Sequence, residues 1–170
     1  FFRKNGIAGK VICVHPGSGG SSPNCIPEQY AEFAAELGKR FSSRIVFTGS
    51  LSEENMLKDA MDKSGLRDAV LLAGARLKQE AAVYEKSTLF IGPSTGPMHI
   101  AAAVKTPVIA LFPPQYGATP KRWGPWGNKN AIIMKGEENC GKCIPMNYKP
   151  CECMLSITAE DVVKAAEKLL

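Results

Sequence analysis

The residues best suited to chemistry lie in Ile91-Gly92-Pro93-Ser94-Thr95-Gly96-Pro97-Met98-His99, which leads into Ile100-Ala101-Ala102-Ala103-Val104. An apolar run, Thr88-Leu89-Phe90-Ile91, passes through small turn-forming residues and straight into an alanine-rich helix. Pro97 suits the first helical position, where a missing N–H costs nothing. That puts Thr95 or Gly96 near the N-cap, with unused backbone N–H groups pointing outward. The positive end of the helix dipole adds to them, so such a start attracts a phosphate or another anion. His99 falls in the first turn. It either faces the same ligand or serves the helix structurally, and the sequence leaves both open.

Two further stretches have residue types suited to a nucleotide. In His15-Pro16-Gly17-Ser18-Gly19-Gly20-Ser21-Ser22 the glycines allow close backbone approach to an anion, and the hydroxyls and bare N–H groups supply hydrogen bonds. No Gly-Lys-Ser/Thr follows, so it is not a Walker loop, and it lacks the spaced glycines of a dinucleotide fingerprint. Taken alone, it also reads as a turn. The stretch from Gly49 to Glu54 carries acidic residues able to hold ribose hydroxyls, although an ordinary N-capped helix explains it as well. No Asp-x-Asp pair of the metal-chelating kind occurs. A bound diphosphate would therefore have its charge met by helix dipoles and basic groups.

These loops need a scaffold, and the chain alternates short apolar runs with amphipathic ones, the pattern of βα units and a parallel sheet. Strands are predicted at Lys10 to Val14, Arg44 to Thr48, Asp68 to Leu72, Thr88 to Ile91, Thr106 to Leu111 and Ala131 to Met134. A helix from Pro27 to Phe41 places Tyr30, Phe33, Ala34, Leu37 and Phe41 on one face. Ser52 reads as the N-cap of a helix that turns Met56, Ala60 and Met61 to the core and stops at Gly65. Another helix spans Leu77 to Lys86, and Thr158-Ala159-Glu160-Asp161 announces the last one. The segment from Phe112 to Asn130 reads as a long loop. The expected fold is α/β: a single Rossmann-like three-layer α/β/α domain over residues 1–170, with a mainly parallel sheet of about six strands. In such a sheet, ligands bind beyond the carboxyl ends of the strands, where the three candidate loops fall.

With 45% hydrophobic and 22% charged residues the chain is an ordinary globular protein, neither disordered nor fibrous. Its net charge of +5 is spread along the sequence and favours an acidic partner such as a nucleotide or an anionic headgroup, or merely reflects scattered surface lysines. Basic runs interleaved with aromatics are missing, which argues against nucleic acid. The opening Phe1-Phe2-Arg3-Lys4-Asn5-Gly6 has no signal-peptide core and no initiator methionine, so a cytoplasmic location and a piece of a longer chain are expected. Four of the six cysteines form Cys140-x2-Cys143-x7-Cys151-x-Cys153. In a reducing compartment this spacing allows either a tetrahedral zinc site or free thiols.

Several motifs together resemble glycosyltransferase family 9, the heptosyltransferases of lipopolysaccharide synthesis. They are His15-Pro16-Gly17-Ser18-Gly19, then Ile26-Pro27-Glu28-Gln29-Tyr30, then Gly92 to Ala103 with Thr106-Pro107-Val108. The resemblance implies one half of a GT-B fold, the carboxyl-terminal, donor-binding half of a two-domain transferase. It implies that Thr95, Gly96 and His99 hold the diphosphate and sugar of a nucleotide-heptose donor, in the family ADP-heptose. His15, Gly17 and Ser18 would line the same cleft, and the backbone near Gly74 to Arg76, Ala75 included, would flank the base. The family is metal-independent and inverting, with its general base in the amino-terminal domain, so no catalytic base, metal ligand or cofactor is expected here beyond the donor itself. A lipid-linked saccharide acceptor would be reached through the other domain, at the cytoplasmic face of the bacterial inner membrane, where peripheral association fits. Two places depart from the pattern. Ser94 stands where most members carry Asp, with Pro93 before it where Asn is common, and Asn24 stands where a Lys usually contacts the donor phosphates. Loss of a carboxylate and a cation together conserves local charge; it equally fits a different donor sugar or a degenerate, non-catalytic nucleotide-sugar-binding module. The segment Lys121-Arg122-Trp123-Gly124-Pro125 would either replace the cation or form a surface loop pinned by Trp123.

Overall fold

A computed structural model describes residues 1–115, 117, 119–127, 129–137 and 151–170. Among the described residues six strands form one fully parallel sheet: β1 (Val11–Val14), β2 (Arg44–Gly49), β3 (Val70–Ala73), β4 (Leu89–Pro93), β5 (Val108–Phe112) and β6 (Asn130–Met134). Their order is β3-β2-β1-β4-β5-β6. Every residue of β1, β4 and β5 is buried, because a central parallel strand is covered on both faces and so reads as an unbroken apolar run.

Alternate side chains feed two cores. Ile12, Val14, Ile45, Phe47, Leu89 and Ile91 pack beneath α1 (Pro27–Phe41), α2 (Glu54–Lys63) and α7 (Ala159–Leu169). Val11, Cys13, Val46, Phe90, Val108 and Ala110 pack beneath α3 (Leu77–Glu85) and α4 (Gly96–Ala103). The result is the expected α/β/α sandwich.

Several boundaries differ from the sequence expectation, each for a local reason. Ser52 does not cap α2. Ser50 opens a 3₁₀ turn, Leu51–Glu53, because Glu53 lies three residues on and accepts from the Ser50 amide (2.9 Å) and hydroxyl (2.7 Å). Ser52 has no such partner and bonds the Ser50 hydroxyl instead. On α2 the fully buried residues are Leu57 and Ala60, with Met56 and Met61 only half-buried. Strand β3 begins at Val70 rather than Asp68, since the Ala69 amide turns back to Leu66 and Asp68 pairs outward with Arg44 at 2.7 Å. Gly96, not Pro97, is the first residue of α4. Two short helices were not anticipated, α5 (Pro120–Trp123) within the long loop and α6 (Glu152–Leu155).

Gln29 ties the last of these to the body of the domain. Its buried amide nitrogen donates to the carbonyls of Met154, Leu155 and Ile157, while its oxygen accepts from the Ile26 amide at the start of α1. The reciprocal cap of α7 is present as expected: Asp161 accepts from the Thr158 amide and hydroxyl, and Thr158 Oγ1 accepts from the Asp161 amide. Cys140 and Cys143 lie outside the described residues. Burial, with a smaller contribution from nearby Cys151, pushes the Cys25 thiol up to about 12, and its Sγ donates to the Met154 carbonyl. Among the described residues no three His, Cys, Asp or Glu side chains are placed to hold a metal ion.

Candidate functional site

The strand order reverses direction between β1 and β4, so the loops leaving their carboxyl ends diverge and open a crevice. A cleft of about 500 Å³ occupies that position. Five chain segments form it: the glycine-rich loop after β1, the turn after β2, Gly74 and Ala75 after β3, Glu80 on α3, and the start of α4 after β4.

The α4 wall is built for an anion. Thr95 is the N-cap residue, but its hydroxyl turns back toward the Pro93 carbonyl (3.4 Å) and caps none of the helical amides. No acidic side chain stands in the first turn either. The N–H groups at the head of the helix, with its positive dipole end, are thus left to a ligand. A tight exit from β4 makes this possible. A Cβ on Gly92 would lie 3.0 Å from the His15 carbonyl oxygen and from the Phe90 ring, so the two loops meet only because that residue is glycine.

His15 forms the floor. Its amide donates to the Ile91 carbonyl (2.9 Å), its Nδ1 faces Thr48 Oγ1 at 2.9 Å, and its ring stacks near Phe90. Thr48 Oγ1 in turn meets the Tyr84 hydroxyl at 3.2 Å. Burial lowers the imidazole from its ordinary 6.5 to about 4, outweighing the opposing pull of the Glu53 carboxylate. At neutral pH His15 is therefore an uncharged hydrogen-bonding group.

Two carboxylates face the same space. Burial pushes Glu53 upward, but donors from the Ser50 hydroxyl and amide and from the Gly19 amide outweigh it, holding the group ionised below the usual range. Gly17 leaves room for this carboxylate, which a Cβ there would overlap. Glu80, on α3, is raised by burial and then by the charge of Glu53. Among the described lining residues there is no Lys or Arg.

Six sequence-predicted residues meet in this cleft: His15, Gly17, Ser18, Ala75, Thr95 and Gly96. Three do not line it. Asn24 lies on a neighbouring hollow that shares the glycine-rich loop. Its Nδ2 donates to the Pro16 carbonyl (2.6 Å), and its Oδ1 accepts from the Cys25 amide and the Tyr30 hydroxyl. Ser94 and His99 flank the α4 start, half-buried and exposed respectively. Lys121 and Arg122 stand exposed on α5 and line no part of the cleft; Arg122 stacks on Trp123, whose indole donates to the Gly117 carbonyl. These contacts pin the segment at the surface among the described residues.

The model of glycosyltransferase family 9 (heptosyltransferase) matches residues 3–151. The chain belongs to glycosyltransferase family 9. It is 42% identical over 104 residues to lipopolysaccharide heptosyltransferase 3 of Escherichia coli K12, a match covering 58% of this chain and 28% of that protein. Among solved structures it resembles the family 9 glycosyl transferase of Veillonella parvula, with a TM-score of 0.81, 25% identity, and coverage of 99% of this chain and 48% of that one. The E. coli heptosyltransferase WaaC solved with ADP has the same fold at a TM-score of 0.71 and 19% identity, over 96% of this chain and 45% of that one. The chain thus spans about half the length of these two structures.

Family motifs pointed to the glycine-rich loop and the α4 start, but not to every wall of this family 9 cleft. Glu80, Thr48 and Tyr84 were missed. A faint signal existed for two of them, because Glu80 and Tyr84 are four residues apart and so share one face of α3. Thr48 carried none; only the position of β2 beside β1 brings it to His15.

Proposed function

We propose that this chain is the donor-binding half of a metal-independent, inverting glycosyltransferase that takes heptose from a nucleotide-activated donor, ADP-heptose. The acceptor is a lipopolysaccharide core saccharide. The observation that carries the reading is the cleft at the strand-order reversal, walled by an uncapped helix start and by the glycine-rich loop. Family membership and the fold shared with a structure holding ADP support it.

In this reading the donor diphosphate rests against the N–H groups heading α4, between Thr95 and Gly96, with Ser18 and His15 donating from the opposite loop. The ionised Glu53 accepts from the ribose hydroxyls, and the backbone at Gly74 and Ala75 borders the base. His99 and Ser94, beside the helix start, lie on the side of the sugar. The acceptor hydroxyl displaces the diphosphate directly at the anomeric carbon, losing its proton to a general base on a second domain. As the glycosidic bond breaks, negative charge builds on the leaving phosphate oxygen. Preorganised helix amides stabilise that charge more in the transition state than in the ground state. Lipid-linked acceptor and donor meet at the cytoplasmic face of the membrane, where the enzyme associates peripherally. Among the described residues no helix is long and apolar enough to cross a bilayer.

A titration calorimetry experiment with ADP on the 170-residue chain tests the donor site. Saturable binding at or below millimolar concentration is expected, and none at millimolar ADP overturns the reading. One observation favours a second reading, a degenerate nucleotide-sugar-binding module. The side chain of Asn24 bonds the Pro16 carbonyl and the Tyr30 hydroxyl, and the described walls of the cleft carry no cation. Restoring Lys at residue 24 and Asp at residue 94, in a chain joined to an amino-terminal domain, separates the two. Transfer activity only after restoration supports the degenerate module.

A further inference from the structure

We propose that Tyr84 and Thr48 are positioning residues that hold His15 as a single neutral tautomer, with its proton on Nε2 and turned to the donor phosphates. The choice of ligand rests on the donor-site reading above; the proton arrangement does not.

The argument follows protons through a buried chain of three polar atoms. Tyr84 and Thr48 are wholly inaccessible and His15 nearly so, at 5% exposure. The Tyr84 hydroxyl has one hydrogen-bond partner among the described residues, Thr48 Oγ1 at 3.2 Å. Burial keeps this phenol protonated at any ordinary pH, ahead of the smaller opposing effect of its bond to Thr48. A buried hydroxyl proton without an acceptor is costly, so it goes to Thr48. Thr48 Oγ1 then accepts from Tyr84 and has a single proton of its own to donate. Its other neighbour is His15 Nδ1, at 2.9 Å. Nδ1 must accept.

The neutral imidazole therefore carries its proton on Nε2. His15 lines the donor cleft and Nδ1 faces away into the sheet, so Nε2–H is the edge offered to a ligand. The reverse polarity, from Nδ1–H to Thr48 to Tyr84, would leave the phenol proton stranded between Thr48 and the Phe90 ring, against which Tyr84 packs edge-on at 5.0 Å. The tautomer is set before any ligand arrives. A fixed neutral donor suits a cleft with no cation among its described walls: it bonds a phosphate oxygen without an imidazolium having to be buried each time the site empties.

Nitrogen-15 NMR of the 170-residue chain at pH 7, without nucleotide, reads the arrangement directly. The chain contains two histidines, so a His99→Asn sample assigns the signals. Expected are an unprotonated, acceptor-type Nδ1 and a protonated Nε2 with one-bond N–H coupling. A proton on Nδ1 overturns the proposal, as does an even mixture. Tyr84→Phe and Thr48→Val, either of which suffices if the other fails to fold, should broaden His15 into a tautomer mixture and weaken ADP binding by about threefold or more. An unchanged tautomer in a folded variant also overturns it. His15→Gln, whose amide N–H mimics Nε2–H, should keep ADP affinity within about threefold, whereas His15→Ala should lose about tenfold. Equal losses in the two count against the donor role. Absence of ADP binding by the wild-type chain refutes the donor site instead, and leaves the NMR result standing on its own.

Discussion

Acidification should strip stability from this domain mainly through His15, and the size of the effect follows from its burial. The imidazole titrates at about 4 when folded against an ordinary 6.5, because burial in the floor of the cleft disfavours the cation. Between those two values the unfolded chain binds a proton that the folded chain refuses. Stability therefore rises with pH across this window and is lost as pH falls below 6.5. A gap of about 2.5 units is worth about 3 kcal/mol when fully expressed. Roughly 2 kcal/mol of that is lost between pH 7 and pH 5. Domains of this size are stable by only about 5–15 kcal/mol, so the urea midpoint should move visibly. The comparison is with His15→Gln, which packs in the same place but does not titrate. Urea unfolding at pH 7 and pH 5 should show wild type losing about 2 kcal/mol more than the variant. Carboxylates such as Glu53 titrate in both proteins and cancel. Parallel losses, within about 0.5 kcal/mol, would refute the view that His15 is buried as a neutral group.

Other changes probe different parts of the fold. Gly92→Ala puts a methyl 3.0 Å from the His15 carbonyl and the Phe90 ring, and should cost about 1–3 kcal/mol in urea unfolding; a neutral result would mean that β4 leaves the sheet less tightly than described. Thr158→Ala removes the α7 cap and should cost about 1 kcal/mol, measured in the same way. His99→Ala, exposed and off the cleft lining, should weaken ADP binding by less than about threefold in calorimetry, and a loss beyond about tenfold would put the imidazole on the nucleotide. Protein purified under reducing conditions should contain less than about half an equivalent of zinc by metal analysis; a full equivalent would assign the Cys140, Cys143, Cys151 and Cys153 thiols to a metal site.

Much of this architecture was legible in the chain before any coordinates. Central parallel strands must be apolar on both faces, so the runs ending at Val14, Ile91 and Leu111 stand out, although β4 and β5 extend to Pro93 and Phe112. The α4 start was equally legible, because Thr95, Gly96 and Pro97 after a strand end carry a local rule about caps and orphan amides. Boundaries failed where two local signals competed. Ser50 and Ser52 both resemble caps, and only the reach of Glu53 back to Ser50 decides between them.

Local sequence thus determined the strands, the longer helices and the two loops suited to an anion, because hydrophobic period, glycine, proline and capping residues act within a few positions of one another. Which loops face one another was decided by the β3-β2-β1-β4-β5-β6 order, which sets His15 beside Thr95 across 80 residues of chain and opens the cleft between them. The surroundings of Asn24 were likewise tertiary: its carbonyl oxygen meets Tyr30 and its amide meets Pro16, contacts that its neighbours along the chain do not announce. Charge was decided the same way. His15 is neutral, Glu53 ionised and Glu80 raised because of burial and neighbours drawn from β2, α3 and the glycine-rich loop. Desolvation and hydrogen bonding depend on distance in space, which the order of residues along the chain does not contain.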